Sequence, residues 1–330
     1  MNENKLNFGI RKDLCADIRY EPNACKGYVL DVSLGCPHHC IYCLFAPLEN
    51  RVYRLMNPKY TDSVIPLSLD KLKQKKEFPP VVYMCYSSDP LGDEKLKKLS
   101  IEALNILFEH NVSILFITKG IFTDDVIETI SKRPELVNVQ VDVSSADAYR
   151  NKKIEPFAPT YEQRLENLRK LSKIENLNPV CLRMDPLMPN LDDTDENICT
   201  VLKDVQEFGI RDVMSGYVVL TANMKKNWLK DEYLAPIAEG MTEQTPTISG
   251  QELYSIPFEE KMKRFNHMRE LCNEYNMRLA VCGCKDERYK ATNLEWICHP
   301  YNRKRRIELA ENSSVPLEYD HLGGQGGDNN

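Results

Sequence analysis

A chain of 330 residues has room for one large α/β domain or two smaller ones. With 42% hydrophobic and 28% charged residues it has the composition of a globular protein, and a net charge of −6 excludes nucleic-acid coating by bulk charge while leaving room for a local basic groove. No apolar run approaches the ~20 residues needed to cross a bilayer, and the N-terminus Met1-Asn2-Glu3-Asn4-Lys5 lacks a signal-peptide core. A cytoplasmic protein is therefore expected, in which the 12 cysteines are metal ligands, catalytic thiols or buried small hydrophobes rather than disulfides.

Residues 1–26 form a polar N-terminal segment that carries Cys15 and Cys25. A strand is predicted over Gly27–Leu34, and at its C-terminal end stands Gly35-Cys36-Pro37-His38-His39-Cys40-Ile41-Tyr42-Cys43. Its thiols follow C-x3-C-x2-C spacing, close enough to wrap one metal centre. Thiolates select iron–sulfur clusters, zinc or copper(I). A structural zinc site is closed and four-coordinate, and here His38 or His39 would have to complete it. A cubane held by three thiolates leaves one iron open to a ligand, as a reactive site requires. The loop resembles the radical SAM superfamily, whose signature is C-x3-C-x-(aromatic)-C, with Tyr42 at the aromatic position.

The chain then alternates. Val81–Tyr86 reads as a strand ending in Ser87-Ser88-Asp89-Pro90, followed by a helical face of Leu96, Leu99, Ala103, Leu104 and Leu107. Val112–Thr118 is a β-branched strand ending in Lys119-Gly120, and Thr123-Asp124-Asp125 opens a helix. Val137–Val143 alternates as a strand and ends in Ser144-Ser145. Thr160 and Gln163 form a capping box ahead of Leu165, Leu168 and Leu171. Val180–Leu182 is the next strand, closing on Arg183-Met184-Asp185-Pro186. A helix over Thr194–Phe208 leads to a sixth strand at Asp212–Leu220. This β-α order implies parallel strands with right-handed crossovers, which fits a partial (β/α)6 barrel over 27–221. Residues 222–257, rich in Pro and Gly, are read as a lid or substrate loop. A helix from Phe258 and a short strand at Arg278–Val281 open a Cys-containing C-terminal extension over 258–311. A flexible tail over 312–330 follows.

In such α/β architectures, sites collect beyond the C-terminal ends of the parallel strands. Five successive predicted strands end there in the three thiols, Ser87-Ser88-Asp89, Lys119, Ser144-Ser145 and Arg183. That mixture suits a zwitterionic ligand bearing a ribose: cations for a carboxylate, a carboxylate or hydroxyls for an ammonium, and hydroxyls for the sugar. Across 27–220 the resemblance narrows to the spore photoproduct lyase-like (DNA repair photolyase-like) branch of the radical SAM superfamily. It is carried by Ser88-Asp89-Pro90-Leu91-Gly92, Thr118-Lys119, Val143-Ser144-Ser145 and Glu155-Pro156. The resemblance implies that Cys36, Cys40 and Cys43 bind a [4Fe-4S] cluster whose open iron chelates S-adenosyl-L-methionine (SAM). It also implies that Tyr42, Ser87, Ser88, Asp89, Lys119, Ser144 and Arg183 hold the rest of the cofactor. The implied activity is reductive cleavage of SAM to a 5′-deoxyadenosyl radical that abstracts a substrate hydrogen, with the electron coming from a reductant such as flavodoxin or ferredoxin. A cysteine near the end of the second strand returns a hydrogen atom to the substrate radical in spore photoproduct lyases. Here Cys85 is the residue nearest that place, although the local order reads Cys85-Tyr86-Ser87-Ser88-Asp89.

The C-terminal third departs from the lyase pattern. Cys282-Gly283-Cys284 and Cys298-His299-Pro300 give C-x-C-x13-C, a spacing for a second iron–sulfur cluster or zinc. An auxiliary cluster fits peptide or small-molecule modification rather than thymine-dimer repair. The substrate classes open to the sequence are thus a nucleic acid, a peptide or a small molecule, with no membrane partner. A zinc or iron–sulfur binding protein without SAM turnover is the non-enzymatic alternative. Arg303-Lys304-Arg305-Arg306 is a basic run suited to a solvated face or to phosphate.

Overall fold

The computed structural model describes residues 18–21, 27–45, 54–55, 61–75, 81–247 and 250–296. Cys298, the basic run at Arg303, the tail and most of the N-terminal segment lie outside the described residues.

The first strand, β1 (Arg19–Glu21), pairs antiparallel with β2 (Gly27–Leu30). A small ribbon of β3 (Ser33–Leu34) and β4 (Arg54–Leu55) flanks the cysteine loop. After α1 (Thr61–Gln74) the chain settles into alternation: β5 (Val81–Met84), α2 (Glu94–Glu109), β6 (Ser113–Thr118), α3 (Asp124–Ser131) and β7 (Val137–Asp142). Then come α4 (Ala148–Ile154), α5 (Tyr161–Leu171), β8 (Cys181–Leu187), α6 (Asp195–Gln206) and β9 (Asp212–Tyr217). Caps placed by the sequence set these boundaries. Asp93 accepts from the amides of Lys95 and Leu96 at the start of α2, and Thr160 and Gln163 close a reciprocal capping box on α5.

The sheet order is β1-β2-β5-β6-β7-β8-β9-β12, where β12 is Arg278–Val281. Every pairing from β2 to β12 is parallel. The short strand near the C-terminus therefore extends the barrel wall to seven parallel strands. Among the described residues β1 and β12 do not pair, so the wall stays open as a partial barrel. The predicted fifth strand is longer than expected, because β8 runs past Arg183 and through Pro186. Pro lacks the amide a regular ladder needs, and the β8–β9 register shifts between Met184 and Leu187, at the place where a bulge tolerates it.

Residues 222–257 carry structure of their own: α7 (Ala222–Trp228), α8 (Ala235–Gly240) and a hairpin of β10 (Glu243–Pro246) with β11 (Glu252–Ser255). The long helix α9 (Phe258–Glu274) then returns the chain to β12.

Strand periodicity separates two faces. Val82, Met84, Ile114, Phe116, Val139, Val141, Leu182 and Met184 join the main core beneath the helices. Their alternating neighbours face the inside of the barrel. There, Val81 and Leu115 pack with Tyr83 and Ile117 at one side, and Cys181, Met214 and Cys282 with Ala280 and Cys284 at the other. Between these two apolar patches the inner face carries Gln140, Asp142, Arg183 and Asp185. A charged strip thus crosses the middle of the wall.

Candidate active site

The cysteine loop leaves β3 through Gly35 at φ 78° and turns again at His39 at φ 51°. It is fastened on two sides. Its Pro37 ring lies against Gly92, where an added Cβ would stand 2.9 Å from Pro37 Cγ, so the loop and the Ser-Asp-Pro-Leu-Gly turn need that glycine to approach. On the other side the Ile41 amide donates to the Ile154 carbonyl at 3.0 Å, and the Phe157 amide to the His38 carbonyl at 3.4 Å. Cys40 is buried, while Cys36 and Cys43 are half-buried.

Burial, then the Glu155 carboxylate, push the Cys40 thiol up to about 12. Burial, the Asp89 carboxylate and the other two thiols hold Cys36 well above its ordinary value as well. Three thiols this close to one another repel as thiolates, and a cation among them would relieve the repulsion. Buried His38 sits 3.5 Å from Asp89, and the His39 ring packs edge-on to Phe157 at 5.5 Å. Among the described residues no three His, Cys, Asp or Glu side chains converge on one ion position. Three thiols with no fourth cysteine in the loop match the donor set of a cubane that keeps one iron open, whereas a closed zinc site would need His38 or His39 as well.

The second and third parallel strands meet beside the loop. Asp89 is buried and ties their ends together. Its Oδ1 accepts from the Leu91 amide at 2.8 Å and from Thr118 Oγ1 at 2.6 Å, and its Oδ2 accepts from the Lys119 amide at 2.8 Å. That carboxylate, placed by the sequence as a ligand for an ammonium, is thus heavily committed to the fold. Asp31 performs a similar task one strand over, accepting from the Ser87 amide at 3.0 Å. The Ser87 hydroxyl is buried without a partner among the described residues, as an atom awaiting a ligand would be. Cys85 follows β5 with φ 61° and is 1% exposed. Burial, then Asp31, raise its thiol. It packs into the main core at the end of β5, where the turn to Ser87 and Ser88 begins and against which Ile41 and Tyr42 of the cysteine loop also pack.

At the heart of the rim lies a buried ionic network. Lys119 Nζ contacts Asp142 Oδ2 at 2.7 Å and Glu155 Oε1 at 3.8 Å, and sits 5.5 Å from the centre of the Tyr42 ring. Tyr42 donates its hydroxyl to Glu155 Oε1 at 2.8 Å. Glu155 Oε2 pairs with Arg164 at 2.6 Å, Arg150 stands 3.6 Å from Oε1, and Arg150 forms a two-pronged pair with Asp192. Burial alone would depress the Lys119 ammonium; Asp142 and Glu155 override it and hold the pKa above its ordinary value. Burial alone would raise Glu155, and Arg164, Lys119 and Arg150 override that in turn, so its carboxyl lies well below the usual range. Ser144 is buried and donates to Asp142 Oδ1 at 3.2 Å.

Arg183 stands within β8 and not at its end. It donates to Gln140 Oε1 at 2.6 Å and pairs with Asp185, which also pairs with Lys285. Gly216 permits this, since a Cβ there would lie 3.1 Å from Asp185 Oδ1 and 3.2 Å from Cys282 Cβ. Cys282 is buried and Cys284 half-buried on the same side as Cys181.

The structure thus brings Cys36, Cys40, Cys43, Tyr42, Ser87, Ser88, Asp89, Lys119 and Ser144 to one rim, with Arg183 and Asp185 on the inner wall below. Arg150, Arg164, Glu155, Asp142 and Asp192 were not singled out as site residues by the sequence. The detectable signal lay in α5, where Arg164 shares a face with Leu168 and Leu171 at the four- and seven-residue spacings of a buried stripe.

Comparison with known proteins agrees with this geometry. The Radical SAM superfamily model matches residues 30–202, over half of the chain. Among solved structures, a cysteine mutant of spore photoproduct lyase aligns with a TM-score of 0.64 at 15% identity, covering 82% of this chain and 79% of that one. SuiB of Streptococcus suis aligns with a TM-score of 0.52 at 10% identity, covering 77% of this chain and 48% of that one. An uncharacterized protein of Acidianus two-tailed virus is 23% identical over 202 residues, and that match spans 57% of this chain and 65% of the viral protein. Three thiols on the loop after the first parallel strand, a rim of polar strand ends and a family match across both say the same thing: the chain belongs to the radical SAM superfamily.

Proposed function

We propose that this protein is a radical SAM enzyme of the spore photoproduct lyase-like kind. In this reading Cys36, Cys40 and Cys43 hold a [4Fe-4S] cluster and SAM lies across the neighbouring strand ends. The observation that carries it is the three-thiol loop fastened beside the Ser87 hydroxyl, buried and unpartnered among the described residues, and the Lys119 network on one rim. When bound, the cluster and SAM together supply one-electron cleavage of the sulfonium and a 5′-deoxyadenosyl radical that takes a hydrogen from the substrate.

The chain itself binds and orients. Ser87, Ser88 and Ser144 offer hydroxyls for a ribose or an amino-acid group, and Arg183 offers a guanidinium for a carboxylate. Lys119, held charged by Asp142 and Glu155, is fixed in place beside the Tyr42 ring. Tyr42, anchored through its hydroxyl, keeps its ring in place for a flat ligand. The apolar patches around Tyr83 and around Cys181 wall the inner face and exclude water from a reactive intermediate. Cys85 is the proposed donor of a hydrogen atom to the substrate radical, its S–H bond breaking as the substrate C–H bond forms. A spore photoproduct lyase of similar fold has been solved with bound AdoMet and dinucleoside spore photoproduct, which supports this reading through architecture.

A second reading, peptide or small-molecule modification with an auxiliary cluster, draws on two observations. One is the likeness to SuiB; the other is the placement of Cys282 and Cys284 together, just after β12, against Cys181 and Met214.

The test is a cleavage assay on anaerobically reconstituted, reduced protein. The proposal requires 5′-deoxyadenosine and methionine from SAM, with Cys40→Ala inactive. A protein that binds SAM and iron yet never forms 5′-deoxyadenosine would refute it.

A further inference from the structure

We propose that the exposed face made by Lys152, Lys153 and Phe157, at the C-terminal end of α4, is the docking surface for a small acidic electron-carrier protein; this rests on the cluster proposed at Cys36, Cys40 and Cys43. Four large hydrophobic side chains stand exposed among the described residues, and Tyr149 at 60% and Phe157 at 65% both belong to this short segment. Lys152 and Lys153 are exposed beside them. Two adjacent lysines over an aromatic platform form a local basic patch on a chain whose net charge is −6, so an acidic partner meets attraction here and repulsion from the molecule as a whole. That contrast both steers and orients a partner.

Position supports the assignment. The end of α4 is the part of the protein strapped to the cysteine loop: Ile41 bonds Ile154 at 3.0 Å, Phe157 bonds His38 at 3.4 Å, and Phe157 packs on His39 at 5.5 Å. Electron tunnelling falls steeply with distance, so a donor must seat where little protein separates it from the acceptor. This face is bonded directly to the loop that carries the thiols. In the transfer, the reduced carrier loses one electron and the centre held by the three thiols gains it; no proton or group moves.

A single-stranded nucleic acid is the competing occupant, since exposed rings and lysines also describe a stacking platform. The rings argue against it. Lys152 Nζ lies 5.8 Å above the Phe157 ring and Lys153 Nζ 5.6 Å above the Tyr149 ring, so each ring has a face covered by its own cation. Phe157 and Tyr149 also have edge contacts with His39 and Tyr233. One face of each ring is therefore unavailable for stacking between bases while both ammonium groups stand at the surface, which suits an acidic protein better than a stacked strand.

The experiment uses full-length protein and a bacterial flavodoxin. Binding is measured by calorimetry at low and high salt, and SAM cleavage is driven either by reduced flavodoxin or by dithionite, a small reductant that needs no docking. Lys152→Glu with Lys153→Glu should weaken flavodoxin binding by about tenfold or more, flatten its salt dependence, and lower flavodoxin-driven cleavage at limiting carrier. Dithionite-driven cleavage should stay at the wild-type rate. Lys203→Glu with Lys263→Glu, on α6 and α9, reverses the same charge elsewhere and should change neither. Unchanged flavodoxin binding in the Lys152/Lys153 variant would overturn the assignment, as would equal losses in the control. Loss of binding to a labelled single-stranded oligonucleotide in place of flavodoxin would assign the patch to nucleic acid instead. Absence of dithionite-driven cleavage in the wild type would fail the proposed activity, while the calorimetry would still decide the docking face.

Discussion

Glu155 is the residue on which the rim's electrostatics turn, and Glu155→Gln isolates its charge from its shape. Its side chain is 0% exposed and meets Arg164 at 2.6 Å, Arg150 at 3.6 Å and Lys119 at 3.8 Å. Counting Asp142 and Asp192, the network holds three cations and three carboxylates and is neutral. The amide leaves one positive charge uncompensated out of contact with water, although it still accepts the Tyr42 hydroxyl. Removing one partner of a buried pair costs about 3–5 kcal/mol, and a domain of this size loses about 2 °C of Tm per kcal/mol. Thermal and urea unfolding of the metal-free chain should therefore show a Tm lower by about 6–10 °C.

The pH dependence gives a second check. The Glu155 carboxyl is held below its ordinary 4.5 because Arg164, Lys119 and Arg150 override its burial. Its contribution is then complete above that value and fades as pH falls, so the gap between wild type and variant should be widest near neutrality and narrow progressively as pH falls from 4.5 toward the depressed value in the folded protein. A variant within about 1 kcal/mol of wild type at neutral pH would refute the reasoning, since the network would then be solvated or rearranged.

Gly120→Ala should destabilise by about 3 kcal/mol in urea titration, because its Cβ would lie 2.3 Å from the Leu91 carbonyl oxygen, which is backbone and cannot step aside. A near-neutral result would mean that the Lys119-Gly120 turn differs from that described. Cys85→Ala should fold with a modest loss and still release 5′-deoxyadenosine while its product distribution shifts; wild-type products at the wild-type rate would reduce Cys85 to a core residue. Replacing Cys36, Cys40 and Cys43 together by Ala leaves Cys282 and Cys284 intact, so residual bound iron or zinc would support the auxiliary site and an empty protein would remove it.

Much of this was legible in the sequence because strand periodicity and strand-end chemistry are local properties. Val137–Asp142 and Ser113–Thr118 announce themselves by β-branched residues, and the thiols, Ser87 and Lys119 could be placed on one rim from strand order alone. What escaped depended on distant neighbours. Arg150 looks like any charged helix residue, yet it is buried because Asp192, which lies after β8 in the chain, folds back to meet it. Arg183 was placed at a strand end because Asp185-Pro186 resembles a stop, whereas pairing to β9 carries the strand through. The stretch over 222–257 looked open because its hairpin has polar, Pro-containing strands whose anchors, Lys285 and Arg288, come some 40 residues later.

The proposed activity requires that the loop from Cys36 to Cys43 hold a redox-active iron–sulfur cluster with a site open to SAM. Electron paramagnetic resonance of the anaerobically reconstituted, reduced protein tests it most directly. A [4Fe-4S] signal that changes when SAM is added and disappears in Cys40→Ala is the expected result. Zinc bound in place of iron, or a cluster signal indifferent to both SAM and Cys40, would contradict it.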